Sequence, residues 1–430
     1  MRTIVIKSLS IPVTFKAQLL HWANQFSEIV FLDSNSEFNQ NQTYKNYDFV
    51  LAVDAFTSIK TDTQNAFDDL NHYQNQTKDW LFGYLSYDLK NDIEALKSEN
   101  FDGLQFPDLF FFQPKKIFLF KENQLEIQYL NLCDDEIETD FETILNTEIQ
   151  PCKLHTIEIK QRISEKIYLQ KVTTLLQHIH RGDLYEANFC MEFFAENCEI
   201  HPIDIYQKLV HITQTPFSCF FKNNSNYLIC ASPERYLKKQ NSKIISQPIK
   251  GTSKRFATFD EDEKSKSDLQ NNPKEKSENI MIVDLVRNDL AKTAVTGSVQ
   301  VEELCQIHSF KQVHQLISTV VSEVENSVSA VEILKSTFPM GSMTGAPKIA
   351  AMQLIEELEE TKRGLYSGAI GYFSPGNSFD FNVVIRSILY NSENKYLSFS
   401  VGSAITAAAI PEQEYQECLL KAAAMKNVLN

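Results

Sequence analysis

The stretch between Ser164 and Gly182 carries apolar residues at the spacing of one helix face. Ser164 is a suitable N-cap, and Gly182 suits the C-terminal end. The pattern therefore predicts an amphipathic helix that packs on a core. Its apolar face consists of Tyr168, Val172, Leu175, Leu176 and Ile179.

The last hundred residues alternate between helical and extended patterns. Pro347 and Pro411 each stand where the first turn of a helix should begin. Between these prolines lie three β-rich runs, separated by the turn-forming segments SPGNS and NSENK. The pattern predicts a sheet flanked by two helices. The three runs are residues 367–373, 383–390 and 396–401.

Residues 1–150 mix short β-like runs with polar connections rich in Asn and Gln. An aromatic segment around Gly83 predicts a strand, for which simple burial and a ligand role are equally open. An acidic stretch ends in Pro151, which predicts a boundary there. We expect an N-terminal region, residues 1–150, packed with the core that follows.

Composition and charge narrow the classes of partner. The 430 residues include 41 Lys and Arg against 56 Asp and Glu, a net charge of −15. Such a chain repels phosphate backbones and anionic membranes on average, so we expect neither nucleic acid nor a membrane as partner. The start of the chain lacks the apolar core of a signal peptide, and no apolar run approaches the roughly 20 residues of a membrane span. We expect a cytoplasmic protein whose chemistry lies in a pocket.

Two acidic pairs are candidates for a metal site. Glu275 and Glu278 are three residues apart on one predicted helix, and Glu414 and Glu417 are three apart on another. This spacing places each pair on one helix face. Carboxylates from two helices would repel each other unless a cation such as Mg²⁺ neutralised them. Solvated acidic faces are the alternative, and spacing alone favours it.

Three further features point to an anionic ligand. The segment FPMGSMTGAPK, which contains Thr344, enters a helix near Pro347, and helix-entry amides bind anions. It does not fit a nucleotide-binding P-loop, so a carboxylate ligand fits better. Lys250 in PIKGT is either a nucleophile or a solvated turn lysine, and the latter is favoured without further information. Arg386 interrupts the apolar run VVIRSILY, either to meet an anion or to form a structural ion pair.

Together, the collinear motifs resemble the chorismate-utilising enzymes, which include anthranilate synthase component I, aminodeoxychorismate synthase component I, isochorismate synthase and salicylate synthase. The resemblance extends over roughly residues 160–428 and implies that they form the chorismate-binding catalytic region. It implies an α+β fold of four layers, α/β/β/α, with two packed sheets. The motifs are GDLYEANF, ASPERY, PIKGTSKR, KEKSENIMIVDLVRNDLAK, TFPMGSMTGAPKIAAM, RGLYSGAIGYF, VVIRSI and PEQEYQECLLKAAAM.

The resemblance also implies a Mg²⁺-dependent reaction of chorismate. Glu278 and Glu417 match the direct metal ligands, and Glu275 and Glu414 match residues that hold metal-bound waters. Glu234 in SPER matches the general acid. The positions that match the family's substrate-contacting residues are Gly251, Thr252, Tyr366, Arg386 and Gly402. Thr344 and His314 are also expected to bind substrate.

Within the family, a lysine in the PIKGT motif is common among the aminodeoxychorismate synthases, whereas relatives that make anthranilate or isochorismate usually carry alanine. The resemblance therefore implies that Lys250 is a nucleophile and that ammonia is added at C4. The ammonia would come from a separate glutamine amidotransferase subunit. Anthranilate synthase component I, isochorismate synthase and a catalytically silent chorismate-binding paralogue stay open as alternatives.

The sequence departs from the family pattern at three positions. Ala404 replaces a glycine that lets a backbone amide approach the substrate. Gln315 occupies the place of a histidine that precedes leucine in relatives. Isochorismate-forming relatives carry a lysine base in the segment aligned with YEANF, whereas this chain has Glu186 there. Activation of a water molecule therefore has no support in that segment.

Overall fold

The structure is a computed structural model that describes residues 1–8, 14–39, 43–149, 156–310 and 313–430. Within these ranges the chain forms helices around an extensive sheet in which all named strands pair antiparallel. This arrangement confirms the α+β class. No helix in the described ranges is long and apolar enough to cross a membrane.

The first half of the sheet runs across one side of the molecule and ends at a ten-residue strand with buried residues throughout. Two short strands, β7 (Lys160–Gln161) and β16 (Gly345–Ala346), also pair with that last strand. The order of the half is β1 (Arg2–Ser8), β6 (Gln124–Leu130), β5 (Leu109–Lys121), β3 (Phe49–Thr61), β2 (Glu28–Asp33), β9 (Phe217–Asn223), β10 (Asn226–Ser232), β19 (Ser387–Asn391), β20 (Tyr396–Thr406) and β8 (Glu186–Ala195).

The second half begins at the N-terminal part of the same long strand, β5, which pairs with β4. Its far end is formed by one strand, Val313–Glu323, that pairs with three others. The order is β5, β4 (Leu81–Leu85), β17 (Ala369–Phe373), β18 (Phe379–Val383), β11 (Arg235–Gln240), β12 (Lys243–Gln247) and β15 (Val313–Glu323), with β13 (Ile249–Lys254) and β14 (Gln300–Ser309) also on β15.

The two packed sheets expected from the resemblance are therefore two halves of one hydrogen-bonded network. Strands β3 and β5 join them, because each has 13 residues and contributes to both halves. Their pairing shifts register between Ala55 and Thr57, next to Asp54 with a positive φ of 62°. A bulge of this kind bends a strand, which lets the sheet fold back on itself.

Apolar side chains between the two halves form the central core. The Phe221 ring on β9 lies 5.2 Å from that of Tyr84 on β4 and 5.9 Å from that of Phe110 on β5, measured between centroids. Helices cover the outer faces and complete the predicted α/β/β/α layers. On the first half these are α1 (Phe15–Ala23), α4 (Ile137–Asn146), α5 (Glu165–Arg181), α6 (Pro202–Thr213) and α11 (Pro411–Leu429), and on the second half α2 (Ala66–Thr77), α8 (Pro273–Ala291) and α9 (Ala330–Thr337).

Three remaining helices lie at the edges: α3 (Lys90–Ile93), α7 (Phe259–Asn271) and α10 (Lys348–Leu358). The helix predicted after Ser164 is confirmed as α5. The Ser164 side chain accepts a hydrogen bond from the amide of Ile167, and Gly182 ends the helix with a φ of 92°. The helices predicted after Pro347 and Pro411 are α10 and α11.

The strand predicted at residues 383–390 is wrong as a single element. Strand β18 ends at Val383 in the second half, and β19 begins at Ser387 in the first half. Between them Arg386 adopts a left-handed φ of 52°. The continuous apolar pattern concealed this break, because both segments are buried on either side of it.

Strands from residues 1–150 pair directly with strands of the catalytic region. β2 pairs with β9, and β4 pairs with β17. The segment around Gly83 is the buried strand β4. The boundary predicted at Pro151 lies outside the described residues.

Gly83 offers a test of this packing. A Cβ atom at Gly83 would lie 2.0 Å from the carbonyl oxygen of Phe110, inside the sheet. We expect Gly83→Ala to lower the free energy of unfolding by about 1–3 kcal/mol, since neither backbone can move freely. Urea unfolding measures the change. The control is Gly376→Ala, because a Cβ there meets nothing within 4 Å; equal midpoints for the two variants would contradict the packing described.

Candidate active site

The predicted site residues meet where the ends of the two half-sheets face each other. Lys250 lies on β13 of the second half, and its Nζ is 2.9 Å from Oε1 of Glu186 on β8 of the first half. The side chains are 12% and 1% exposed. Lys250 is therefore not the solvated turn lysine of the alternative prediction. It is a buried lysine in an ion pair.

Close backbone packing fixes the position of Glu186. Its neighbours in the sheet are Thr406 of β20 and Ala346 of β16. Gly345 has a φ of 138°, and a Cβ there would lie 2.1 Å from the carbonyl oxygen of Glu186. Only glycine permits both this conformation and this approach. The loop FPMGSMTGAPK thus supports the strand that carries Glu186.

The resting charge of Lys250 differs from the neutral state that nucleophilic attack requires. Burial acts to lower its pKa, but the negative charges of Glu186, Glu278 and Glu234 act in the opposite direction, and the pKa is raised overall. Lys250 is therefore an ammonium ion at rest. A reaction through its amine must include a step that removes a proton.

Glu234 has the property expected of a general acid. It lies between β10 and β11 and is 6% exposed. Burial raises its pKa to about 7, although Ser342 and Lys250 act to lower it. A carboxyl group with this pKa holds a proton near neutral pH and can donate it to a leaving hydroxyl group.

The two acidic pairs lie on helices α8 and α11, as predicted. Lys274 connects them, because its Nζ is 3.9 Å from Oε1 of Glu278 and 3.3 Å from Oε1 of Glu414. Glu414 also accepts a hydrogen bond from the Ser403 hydroxyl. Glu417 pairs with Lys421 at 2.6 Å. Cationic side chains thus lie among these carboxylates.

The surroundings of Glu278 suit a cation. Its Oε1 is buried and accepts no hydrogen bond from the residues that the structure describes. Burial raises its pKa to about 7, and the charges of Glu275 and Glu186 add to the rise, while Lys250 and Lys274 oppose it. Among the described residues, no three Asp, Glu, His or Cys side chains converge closely enough to hold an ion as they stand. The oxygen donors of these four glutamates suit Mg²⁺. A bound ion would displace the Lys274 amine from between the two helices.

Arg386 is a ready receptor for an anion. It has a left-handed backbone and lies where the chain passes from β18 of the second half to β19 of the first. In the described part of the chain, its guanidinium has no hydrogen bond or ion pair. Burial lowers its pKa, although Tyr366 and Glu417 act to raise it. A half-buried guanidinium without a partner gains strongly from a carboxylate ligand.

Small residues and one tyrosine form a tightly packed wall near Arg386. The Tyr366 hydroxyl lies 3.9 Å from Sγ of Cys190. Gly402 pairs with Cys190 across the sheet, and a Cβ at Gly402 would be 2.6 Å from that sulfur. Two positions further on, Ala404 pairs with Asn188. The methyl group of Ala404 therefore lies on β20, the strand that also carries Gly402.

Gly251 links the lysine strand to the acidic helix. It has a φ of 93°, and a Cβ there would lie 3.0 Å from Oε2 of Glu275. Next to it, Thr252 is exposed and pairs in register with Gln315 on β15. Gly251, Thr252 and Gln315 thus lie together beside Lys250.

Two predicted substrate-binding residues are placed differently. The ring of His314 bonds to the Ser309 hydroxyl and to Asp262, away from Lys250. Successive residues of a strand point to opposite faces, so Gln315, and not His314, faces with Thr252. Thr344 is fully buried, and its hydroxyl donates to the carbonyl of Met340. Both side chains support the walls of the site.

Sequence reasoning missed Lys274 and Asn279. Lys274 precedes Glu275 directly and is four residues before Glu278, a spacing at which opposite charges meet on a helix. Buried Asn279 donates to the carbonyls of Lys250 and Leu316. This residue ties α8 to β13 and β15, and only the fold reveals it.

Comparisons with known proteins agree with this site. The family model described as chorismate binding enzyme matches residues 19–427. Aminodeoxychorismate synthase component 1 of Bacillus subtilis is 32% identical over 389 residues, covering 87% of this chain and 80% of that protein. Anthranilate synthase component 1 of Saccharolobus solfataricus is 31% identical over 353 residues, covering 82% and 81%.

Among solved structures, anthranilate synthase component I from Streptococcus pneumoniae superposes with a TM-score of 0.79 at 26% identity, covering 90% of this chain and 93% of that chain. With its fold and motifs in agreement, the chain belongs to the family of chorismate-binding enzymes.

The raised pKa of Glu234 makes stability depend on pH. The folded protein keeps this proton up to a pH of about 7, whereas the unfolded chain loses it near the ordinary value of 4.5. The contribution of Glu234 to the free energy of unfolding therefore falls as pH rises through this range. For the wild type, this fall in the free energy of unfolding is on the order of 3 kcal/mol, and Glu234→Gln should abolish it. Urea unfolding at both ends of the range measures it, and parallel curves for variant and wild type would refute the assignment.

Proposed function

We propose that this enzyme aminates chorismate at C4 to form 4-amino-4-deoxychorismate, the precursor of p-aminobenzoate in folate biosynthesis. The observation that carries the proposal is the buried Lys250, whose pKa is raised by the negative charges of Glu186, Glu278 and Glu234. The name of the Bacillus subtilis relative supports the same activity. The match of PIKGT to the lysine-bearing members points in the same direction.

In the proposed reaction, the neutral amine of Lys250 forms a bond to C2 of the ring. The ring double bond shifts, and the hydroxyl group leaves C4 as water after taking the proton of Glu234. Ammonia then bonds to C4, the double bond returns, and the C2–N bond breaks to release the lysine amine. The ammonium group formed at C4 returns one proton to Glu234. Two easier displacements thus replace one difficult displacement.

Arg386 supplies the first electrostatic requirement of this scheme, because chorismate is a dicarboxylate. A guanidinium can bind one carboxylate with two parallel hydrogen bonds. Its lack of a partner within the described residues leaves it free for that role. Tyr366 and Gly402 form the adjacent wall.

Mg²⁺ is the second part of the proposal. Glu278 and Glu417 would bind the ion directly, with Glu275 and Glu414 holding its water ligands. When bound, it would neutralise charge on the carboxylates and on the ring carboxylate of the substrate. The buried Oε1 of Glu278, which accepts no hydrogen bond within the described residues, supports this assignment.

A separate glutamine amidotransferase would supply the ammonia. The Bacillus subtilis relative is named as component 1 of its enzyme, which supports a second subunit. Anthranilate synthase component I is the alternative function, favoured by the relative from Saccharolobus solfataricus. The lysine at position 250 argues against it, because anthranilate-forming members usually have alanine in that motif.

Product identification tests the function. We expect chorismate, Mg²⁺ and ammonium to give aminodeoxychorismate, which a lyase converts to p-aminobenzoate. Lys250→Ala should lower the amination rate by about 10³-fold or more, since it removes the nucleophile. Lys254→Ala is the matched control, because Lys254 lies on the same strand and is exposed. Chromatography and mass spectrometry identify the products; anthranilate, isochorismate or undiminished turnover of Lys250→Ala would disprove the scheme.

Metal binding can be tested without turnover. We expect Glu278→Gln to weaken Mg²⁺ binding at least about tenfold, because a direct ligand matters no less than residues that orient ligands. Calorimetric titration of the folded protein measures the affinity. Glu412→Gln on the exposed face of α11 is the control. Equal affinities in the two variants, or amination that persists in a chelator, would exclude Glu278 as a ligand.

A further inference from the structure

The carboxylate of Glu186 is unusually placed for a purely structural partner. It is 1% exposed, and one oxygen is bonded to Lys250. The other oxygen, Oε2, is buried and has no hydrogen-bond partner in the described ranges. Leaving a buried carboxylate oxygen unsatisfied costs free energy, so such groups are rare unless they have a function.

The surrounding backbone prevents Glu186 from escaping this position. β8 is paired on both sides at this residue, with Thr406 and with Ala346. The gap that Gly345 leaves brings the two backbones together. The carboxylate is therefore held against the amine before any substrate arrives, which is the condition for rapid proton transfer.

Other carboxylates act on Lys250, but none is positioned like Glu186. The charges that reach the amine belong to Glu186, Glu278 and Glu234, and Lys250 in turn acts on Glu275 and Glu417. Only Glu186 forms a hydrogen bond to Nζ in the described structure. Glu234 holds a proton for donation and is unsuited to take another. The remaining three belong to the proposed metal site.

We propose that Glu186 accepts the proton of Lys250 as the lysine adds to its substrate. This inference rests on the proposed function. The Nζ–H bond breaks, the proton moves to Oε1, and the nitrogen lone pair that is released forms the bond to C2. After the lysine is displaced by ammonia, the carboxylic acid returns its proton to the free amine. Proton and electron pairs balance, and no other reagent is required.

The burial of both side chains makes this transfer feasible. In low dielectric, an ion pair and the neutral pair of amine and carboxylic acid become close in energy, because separated charges lose the stabilisation of water. The transfer replaces two buried charges by none. Glu186 is therefore a positioning and proton-accepting residue that acts through Lys250, without touching the ring itself.

Glu186→Gln and Glu186→Asp separate this role from a structural one. Glutamine keeps the size and can still accept a hydrogen bond, but it cannot take the proton. We expect Glu186→Gln to lower kcat for amination at neutral pH by about 10²-fold, with KM for chorismate unchanged. The ratio of the wild-type rate to the variant rate should shrink as pH rises, because Lys250 then loses its proton to solvent, whereas loss of the Glu234 proton slows both enzymes alike. Glu186→Asp should be the more active variant at neutral pH, since it retains the acid–base group.

The measurements are steady-state rates with ammonium across neutral and alkaline pH, and the mass of a Lys250 adduct formed from chorismate without ammonia. Glu192→Gln is the matched control: it removes a buried carboxylate from the same strand, where Arg162 and Ser398 bind it. That variant should unfold at lower temperature but keep the pH profile of the wild type.

Several outcomes would overturn the inference. A wild-type rate and profile in Glu186→Gln would show that no proton passes to this residue. A ratio of wild-type to variant rates that stays constant as pH rises, with the variant folded, or a glutamine variant more active than the aspartate variant, would indicate a role in shape alone. If the wild type itself forms neither amination product nor adduct, the proposed function fails and this inference falls with it.

Discussion

The buried ion pair between Lys250 and Glu186 is the interaction on which the site depends, because it joins the two halves of the folded sheet. Each residue comes from a strand in a different half. Two charges withdrawn from water persist only as partners. The halves must therefore meet at one separation, and the glycines at 345 and 251 allow the backbones and helices to approach that closely.

The electrostatics of the site follow from an excess of carboxylates. Burial raises the pKa values of both Glu234 and Glu278 to about 7, and the charges of neighbouring carboxylates add to the rise at Glu278. Lys274 compensates part of this charge between helices α8 and α11. A dicarboxylate ligand would add further negative charge, so a cation and the unpartnered Arg386 are the natural complements. The proposed chemistry thus uses charges that the fold already balances closely.

Much of the architecture was predictable because local patterns dictate it. The capped helix α5, the helices that begin at prolines and the helical faces of the glutamate pairs are confirmed. The single strand at residues 383–390 was wrong, because hydrophobic periodicity does not register a left-handed residue such as Arg386. The direction of the His314 side chain could not be read from the motif, since a shift of one residue along a strand reverses the direction of the side chain.

The sequence by itself determined the family, the class of fold and the residue types of the site, because these depend on motifs and on spacing along one element. Only the tertiary structure decided which charges meet. Lys250 and Glu186 are 64 residues apart and belong to different half-sheets, and Lys274 reaches Glu414 across 140 residues. Such contacts depend on how the bent strands β3 and β5 fold the sheet. No local pattern encodes that geometry, whereas the packing of the whole core fixes it.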